Sequence, residues 1–196
     1  MATEHPGLRV GGLTRFSASD YPGKLAAVVF VQGCPWRCSY CHNPQLQTRQ
    51  HAATLSWNDV LAFLRQRQGL LDAVVFSGGE PTVDPYLVHA IGQVRALGYA
   101  IGLHSAGAYP RRLAEVLPLL DWVGLDYKAP YAQQDAITGM RGSAARVHDC
   151  ARQVVQSGVA YEMRCTLHPD LHDRQSVPQI CAELRAIGAQ HIALQQ

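Results

Sequence analysis

At 196 residues, of which 47% are hydrophobic and 16% charged, the chain is long enough for one well-buried core and too apolar to be disordered, and its length calls for no second domain. A formal net charge of +2, with both signs scattered along the sequence, offers no concentrated basic face of the kind that binds nucleic acid. The opening MATEHPGLRVGGLTRF lacks the apolar stretch of a signal peptide, and the longest apolar run, LAAVVFV, is far too short to cross a bilayer, so the expectation is a soluble, cytoplasmic protein with neither membrane nor nucleic acid as partner.

In chain order, residues 1–25 read as a short extended appendage, with a hairpin possible over 7–25, and residues 26–196 as the body of the fold. AAVVFVQ is the first buried strand and leads into GCPWRCSYCHNP. Ser56 can cap a helix whose apolar stripe is Val60, Leu61 and Leu64, with Gly69 closing it. DAVVFSGG follows as a strand, and Asp84–Pro85 reads as cap and first position of a helix striped by Leu87, Ile91, Val94 and Leu97, with Gly98 as its stop. YAIGLHS, a short helix around Arg112–Leu117, DWVGLDYK, a helix from about Ser143 to Gly158, VAYEMRCTL, a helix from about Asp173 to Gly188 and HIALQQ complete six strands with helices between them. Such alternation implies parallel strands with right-handed crossovers, as an open doubly wound sheet or a barrel, partial or closed.

Strand polarity adds detail. Side chains alternate along a strand, so in YEMRCTL the polar Glu162, Arg164 and Thr166 share one face, and Tyr161, Met163, Cys165 and Leu167 the other. A charged row facing a barrel interior needs a ligand, a counter-charge or water, and the same holds for Asp126 and Lys128 at the end of WVGLDYK. These residues are therefore either ligand-facing or an interior ion-pair network.

Cys34, Cys38 and Cys41, at spacings of four and three on a loop after a strand, can converge on one centre. Two readings are open. With His42 they could make a structural zinc site, although the usual zinc knuckle is CxxC and no second one follows. Alternatively, three thiolates hold three irons of a [4Fe–4S] cluster and leave the fourth open, as a catalytic metal requires. Cys150 and Cys181 fall in apolar helical stripes and Cys165 on the apolar face of its strand, which reads as core packing.

CxxxCxxC with an aromatic before the last cysteine, here Cys34, Cys38, Tyr40 and Cys41, resembles the signature of radical S-adenosylmethionine (SAM) enzymes. The resemblance implies a partial (β/α)6 TIM-like barrel, a [4Fe–4S] cluster on the three cysteines, and SAM, reductively cleaved to a 5′-deoxyadenosyl radical, as cofactors. SGGEP, Ser77 to Pro81 after the second strand, matches the family's glycine-rich motif, implying that Ser77, Gly78, Gly79 and Glu80 hold the methionine amino group. DYPGKLAAVVFVQGCPWRCSYCHNP resembles the glycyl-radical-enzyme activases, in the group serving anaerobic ribonucleoside-triphosphate reductase, and the likeness runs from about Leu13 to Gln196.

By the same resemblance, Asp126 accepts ribose hydroxyls, Lys128 and Arg164 face the carboxylate or ribose, Tyr40 flanks the adenine, and His104 and Ser105 contribute from the third strand tip. Implied partners are anaerobic ribonucleotide reductase and an electron donor such as flavodoxin or ferredoxin. Activases of the pyruvate formate-lyase type carry a histidine past the sixth strand, where this sequence ends at ALQQ, so one wall of the site is expected to be thin, open to the partner, or supplied by residues beyond this sequence. An activase of another glycyl-radical enzyme, a radical enzyme acting on a small molecule and a zinc-stabilised binding domain are the alternatives.

Overall fold

The computed structural model describes residues 7–49 and 55–195. Its elements are β1 (Val10–Ser17), β2 (Ala26–Val31), α1 (Trp57–Arg65), β3 (Ala73–Gly78), α2 (Leu87–Ala96), β4 (Ala100–Ser105), α3 (Pro110–Val116), β5 (Trp122–Asp126), α4 (Tyr131–Thr138), α5 (Ser143–Ser157), β6 (Ala160–Thr166), α6 (Ser176–Ala186) and β7 (Ile192–Gln195). The seven strands form one sheet in chain order, β2 to β7 parallel and β1 antiparallel to β2. The sheet stays open between β1 and β7, which makes it a partial (β/α)6 barrel with one added strand. The first six residues of the N-terminal segment lie outside the described residues; from Val10 the segment runs along β2 in the sheet.

All six β-branched or aromatic runs read from the sequence are strands: β2 to β5 are almost wholly buried, as strands covered on both faces must be, while β6 carries Glu162, Arg164 and Thr166 on one face and β7 is partly exposed. One face, with Val29, Val31, Val74, Phe76, Ile101, Leu103, Val123, Leu125, Met163 and Cys165, shares a core with the helices' Val60, Leu64, Ile91, Val94, Val147, Val154, Ile180 and Leu184. The opposite face makes a small second core from Tyr21, Ala26, Val28, Ala73, Val75 and Trp122. This inner core fills the base of the barrel and leaves its upper end, at the carboxyl tips of the strands, to polar side chains.

Local chemistry sets the helix ends, with some displacement from expectation. Ser56 caps α1 in a reciprocal box with Asp59, but the helix stops at Arg65, and Gly69 lies in a separate turn beyond it. Asp84 does not begin α2: its Oδ1 accepts the Tyr86 N–H (2.9 Å) and its Oδ2 pairs with Arg49 (3.1 Å), and the helix starts at Leu87. Asp173 likewise accepts the Ser176 N–H (2.8 Å) ahead of α6, which begins three residues later than the sequence suggested. The helix α4 was not foreseen. Its sequence YAQQDAIT has no strong apolar stripe, and Gly139 ends it in the left-handed region at φ 64°.

Candidate functional site

The strand tips and the segment after β2 enclose a cavity of about 640 Å³. Cys34, Cys38 and Cys41 line it together with Tyr40, His42 and Asn43 from the same loop, Ser77, Gly78 and Gly79 from β3, His104 and Ser105 from β4, Asp126 and Lys128 from β5, Arg164 and Thr166 from β6, and Gln195 from β7.

Main-chain bonds fix the cysteine loop. The Gly33 N–H donates to the Leu46 carbonyl (2.7 Å) and the Cys34 N–H to Gln47 (3.0 Å), closing the loop at its base. The Gly79 N–H donates to Val31 (3.0 Å) and the Glu80 N–H to Gly33 (2.8 Å), so the glycine motif is stitched onto the same base. No side chain could stand at either glycine. A Cβ on Gly78, at φ 119°, would lie 2.4 Å from the Val31 nitrogen, and one on Gly79 would lie 2.4 Å from the Gly33 oxygen. The motif thus lets two main chains touch while its own backbone faces the cavity.

Glu80 departs from expectation. Its carboxylate is fully buried and absent from the cavity wall. It accepts the Thr82 N–H (3.1 Å) and hydroxyl (2.7 Å), the Ser105 hydroxyl (2.9 Å) and the Ala106 N–H (2.8 Å), tying the β3 tip to the β4 tip. Burial pushes its pKa up, and those four donors oppose the shift. Ser105 spends its hydroxyl on Glu80 and on the Gly107 N–H (3.0 Å).

The opposite wall is built from side-chain charge. Asp126 takes Lys128 on Oδ2 (3.2 Å) and the Arg164 Nη2 on Oδ1 (3.1 Å), so the ion-pair network and the cavity lining foreseen as alternatives are the same residues. Burial alone would raise the Asp126 pKa, but Lys128 and Arg164 outweigh it and hold the carboxyl at about 2. Burial also opposes the Lys128 charge, and Asp126 outweighs that, so the lysine titrates above its ordinary value. Gly124 leaves room for this arrangement: a Cβ there would meet the Arg164 guanidinium carbon at 2.7 Å, and that guanidinium lies 5.9 Å from the centre of the Trp122 ring.

His104 joins the charged wall to the N-terminal segment. Its Nε2–H donates to the Asp20 carbonyl (2.9 Å), leaving Nδ1 to accept from the Ser77 hydroxyl (3.3 Å). Burial first, and then Arg164, push its pKa down to about 4, so the ring is neutral. Tyr40 sits under the Lys128 ammonium (5.6 Å) and beside the His168 ring (5.9 Å), with its buried hydroxyl unpartnered among the described residues. Glu162 does not join the network; it lines a second cavity, at the other end of the barrel, with Trp122, Tyr161 and His191. Thr166, read from the sequence as lying on the polar face of its strand, lines the cavity, whereas sequence reasoning missed Asp20, Trp36 and Gln195 there. Of these three only Asp20 carried a signal, as the first residue of the DYPG segment.

The donor set fits an iron–sulfur cluster with a charged amino-acid cofactor beside it. Three free thiols ring one cavity, and a cluster takes each thiolate on a different iron. Burial, followed by the nearby Glu80 charge, pushes the Cys34 thiol up to about 12 in the metal-free chain, so loading the site must release protons. Cys150 and Cys165 are fully buried away from the cavity, the former donating its thiol to the Gly107 carbonyl (3.3 Å).

A sequence model for the Radical SAM superfamily matches residues 28–177. A Methanocaldococcus jannaschii protein assigned as a glycyl-radical enzyme activating enzyme is 26% identical over 90% of this chain and 75% of its own length. The pyruvate formate-lyase-activating enzyme of Clostridium pasteurianum is 30% identical over 84% of this chain and 71% of its own. Among solved structures, QueE from Escherichia coli superposes with a TM-score of 0.62 at 16% identity, covering 99% of this chain and 88% of that one, a likeness of fold. No helix among the described residues is long and apolar enough to cross a membrane.

Proposed function

The chain belongs to the radical SAM superfamily, whose members use a [4Fe–4S] cluster and SAM, and from that premise we propose that it activates a glycyl-radical enzyme, with anaerobic ribonucleoside-triphosphate reductase as its target. Supporting the activase reading is similarity to two activating enzymes across most of both chains, beside a superfamily match whose span, residues 28–177, includes the cysteine loop, the glycine motif and the charged strand tips. The pyruvate formate-lyase relative supports that enzyme's type of target equally; the DYPG wording before β2 is what favours the reductase.

Cys34, Cys38 and Cys41 would hold three irons and leave the fourth to the amino and carboxylate groups of SAM. When bound, cluster and SAM together supply one-electron cleavage of a carbon–sulfur bond and hence a radical able to abstract hydrogen. The chain's own residues orient and shield. Lys128 and Arg164 present fixed positive charge to a carboxylate, already desolvated and held in place by Asp126, so little reorganisation is needed when the anion arrives. Asp126, held ionised, can accept hydroxyl protons in hydrogen bonds. The Ser77 hydroxyl donates to His104, which leaves its oxygen lone pairs and the Gly78–Gly79 main chain to receive an ammonium group. Tyr40 offers a ring face to the adenine, and Glu80, rather than touching the cofactor, holds the glycine loop in place.

The glycine that loses its hydrogen belongs to the partner, whose loop would enter the cavity at the strand tips, past Thr166 and Gln195. Its reductant would be a flavodoxin or ferredoxin. The test is anaerobic reconstitution with iron and sulfide, followed by incubation with SAM, reductant and reductase. A glycyl-radical doublet on the reductase, absent with Cys38→Ala, is expected. A doublet on pyruvate formate-lyase and none on the reductase would move the target, and a colourless protein releasing no 5′-deoxyadenosine would overturn the reading.

A further inference from the structure

The loop that carries the three thiols has a second side, facing away from the cavity, and that side is basic. Arg37, exposed between Cys34 and Cys38, donates Nη1 to the carbonyls of Cys34 (2.7 Å) and Trp36 (2.8 Å), which lays its charge on the main chain of the ligating segment. Its N–H donates to the Thr138 carbonyl (2.8 Å), seating the α4–α5 turn against the loop. That turn carries exposed Arg141, and the first turns of α5 carry exposed Arg146. On the other flank Arg112, in the first turn of α3, reaches the carbonyls of Thr82 (3.0 Å) and Val83 beyond the glycine motif, next to exposed Arg111.

None of these five arginines forms an ion pair among the described residues, whereas Arg95 and Arg152 are paired with Asp121 and Asp149. Three carboxylates stand near them, Glu115 on α3, Asp149 on α5, which is paired with Arg152, and Asp135 on α4. Asp135 is spent on the start of α5, accepting the N–H groups of Gly142 (2.7 Å) and Ala144 (2.9 Å) and the Ser143 hydroxyl (3.0 Å). Three segments far apart in sequence thus gather a positive field that the scattered charges of the linear chain conceal.

We propose that this arginine-lined outer face of the thiol loop is the docking surface for a small acidic one-electron carrier protein. The inference rests on the radical SAM reading, which demands one electron per turnover. One electron leaves the carrier's reduced flavin or iron–sulfur group and one is gained at the site held by Cys34, Cys38 and Cys41, with no bond formed or broken between the proteins. The cavity side of the loop belongs to the cofactor and the β7 side to the entering substrate loop, so the outer face is where a carrier can approach the thiols while both are in place. Redox encounters are small and transient, and their rates depend on charge steering more than on buried area. Five arginines without ion-pair partners among the described residues, around an exposed loop, suit that task, and solvent-exposed charge pairs are individually weak enough to let the carrier leave after transfer.

The probe is fully reduced flavodoxin, with the reconstituted holoprotein. Stopped-flow absorbance follows reduction of the iron–sulfur site, and titration calorimetry follows association at several salt concentrations. The double variant Arg141→Glu/Arg146→Glu should lower the second-order reduction rate by about tenfold or more at low salt and weaken association in parallel, with the deficit shrinking as salt rises. Reduction by dithionite, a small molecule that needs no docking, should stay within about twofold of the parent. Arg141→Gln/Arg146→Gln should fall between the two, and it carries the test if the reversed pair folds poorly. A variant reduced by flavodoxin as fast as the parent, or a parent indifferent to salt, overturns the proposal. So does a variant that loses the glycyl-radical enzyme while keeping its flavodoxin rate, since the face then serves that partner. No glycyl radical need form in these measurements, so failure of the activase reading leaves them legible, and calorimetry reads docking even where no iron is bound.

Discussion

The two walls of the cavity are held by different forces. The thiol wall is a main-chain construction: the loop base, the glycine motif and the end of β2 are joined by backbone hydrogen bonds of 2.7–3.0 Å, and the one charged side chain that holds the Cys34 segment, Arg37, binds its main-chain carbonyls. The strand-tip wall is a side-chain construction in which Asp126, Lys128, Arg164 and His104 position one another by charge and by donor direction. A wall of packed main chain should fail sharply on steric insult and resist acid. A wall of mutually neutralising charges should tolerate changes of volume and yield to pH.

The largest effect should come from Gly79→Ala. The added methyl carbon would lie 2.4 Å from the Gly33 oxygen and 2.9 Å from the Leu46 oxygen, both main-chain atoms with no flexible end to swing aside. The expected cost is about 3 kcal/mol or more, the range of substitutions that force rigid backbone apart. Thermal unfolding should show it, and iron retained after reconstitution should fall close to background. An alanine variant that keeps full iron content and melts with the parent would show that the loop is not built on this contact.

Next is Glu80→Gln. Four donors point at the carboxylate, and an amide would aim its own N–H₂ at some of them, leaving buried groups unsatisfied. The expected loss is about 1–3 kcal/mol of stability, with SAM affinity changed only as far as the loop moves. A large loss of affinity with unchanged stability would return Glu80 to direct contact with the cofactor.

Acid separates the walls further. The unfolded chain takes a proton on a histidine near pH 6.5, and folded His104 not until about 4. Between those values the unfolded state binds the extra proton, so stability falls as pH falls, by about 1.4 kcal/mol per unit at most. Asp126, held at about 2, extends the loss: its contribution is complete above about pH 4, the unfolded value, and disappears as pH drops toward 2. His104→Gln, which retains a donor and an acceptor, should therefore flatten the stability curve between pH 6.5 and 4 and leave the lower window intact. Equal slopes in the two proteins would refute the neutral ring.

These contrasts also explain what the sequence could disclose. Four of the parallel strands were legible because they are apolar almost throughout, β6 because its polar and apolar side chains alternate, and the thiol loop because its spacing is local. Asp126, Lys128 and Arg164 were legible as a group because strand alternation puts them on one face, though whether they faced a cavity or paired with one another could not be decided, since they do both. The direction of Glu80 was hidden: its partners, Thr82, Ser105 and Ala106, are specified only once β3 and β4 are side by side. The Asp20 carbonyl that orients His104 was hidden too, because a main-chain acceptor leaves no mark in composition. The arginines behind the thiol loop became a patch only when α3 and the α4–α5 turn were folded against it.

The smallest expected effect tests where the walls meet. Tyr40 comes from the thiol loop but stacks beneath Lys128 of the charged wall, and its hydroxyl is buried without a hydrogen-bond partner among the described residues. A ring that serves by its face should not miss that oxygen. Tyr40→Phe removes a buried polar group that forms no bond, so stability should stay within about 0.5 kcal/mol of the parent or rise slightly, and calorimetric SAM affinity should be unchanged. Tyr40→Leu keeps apolar bulk but loses the ring quadrupole under the ammonium and the flat surface for a base, and it should weaken SAM binding by about fivefold, a cost near 1 kcal/mol. If the phenylalanine variant instead lost affinity to the same degree as leucine, the hydroxyl would have to acquire a partner on binding, and the two walls would be joined by a polar contact rather than by a stacked ring.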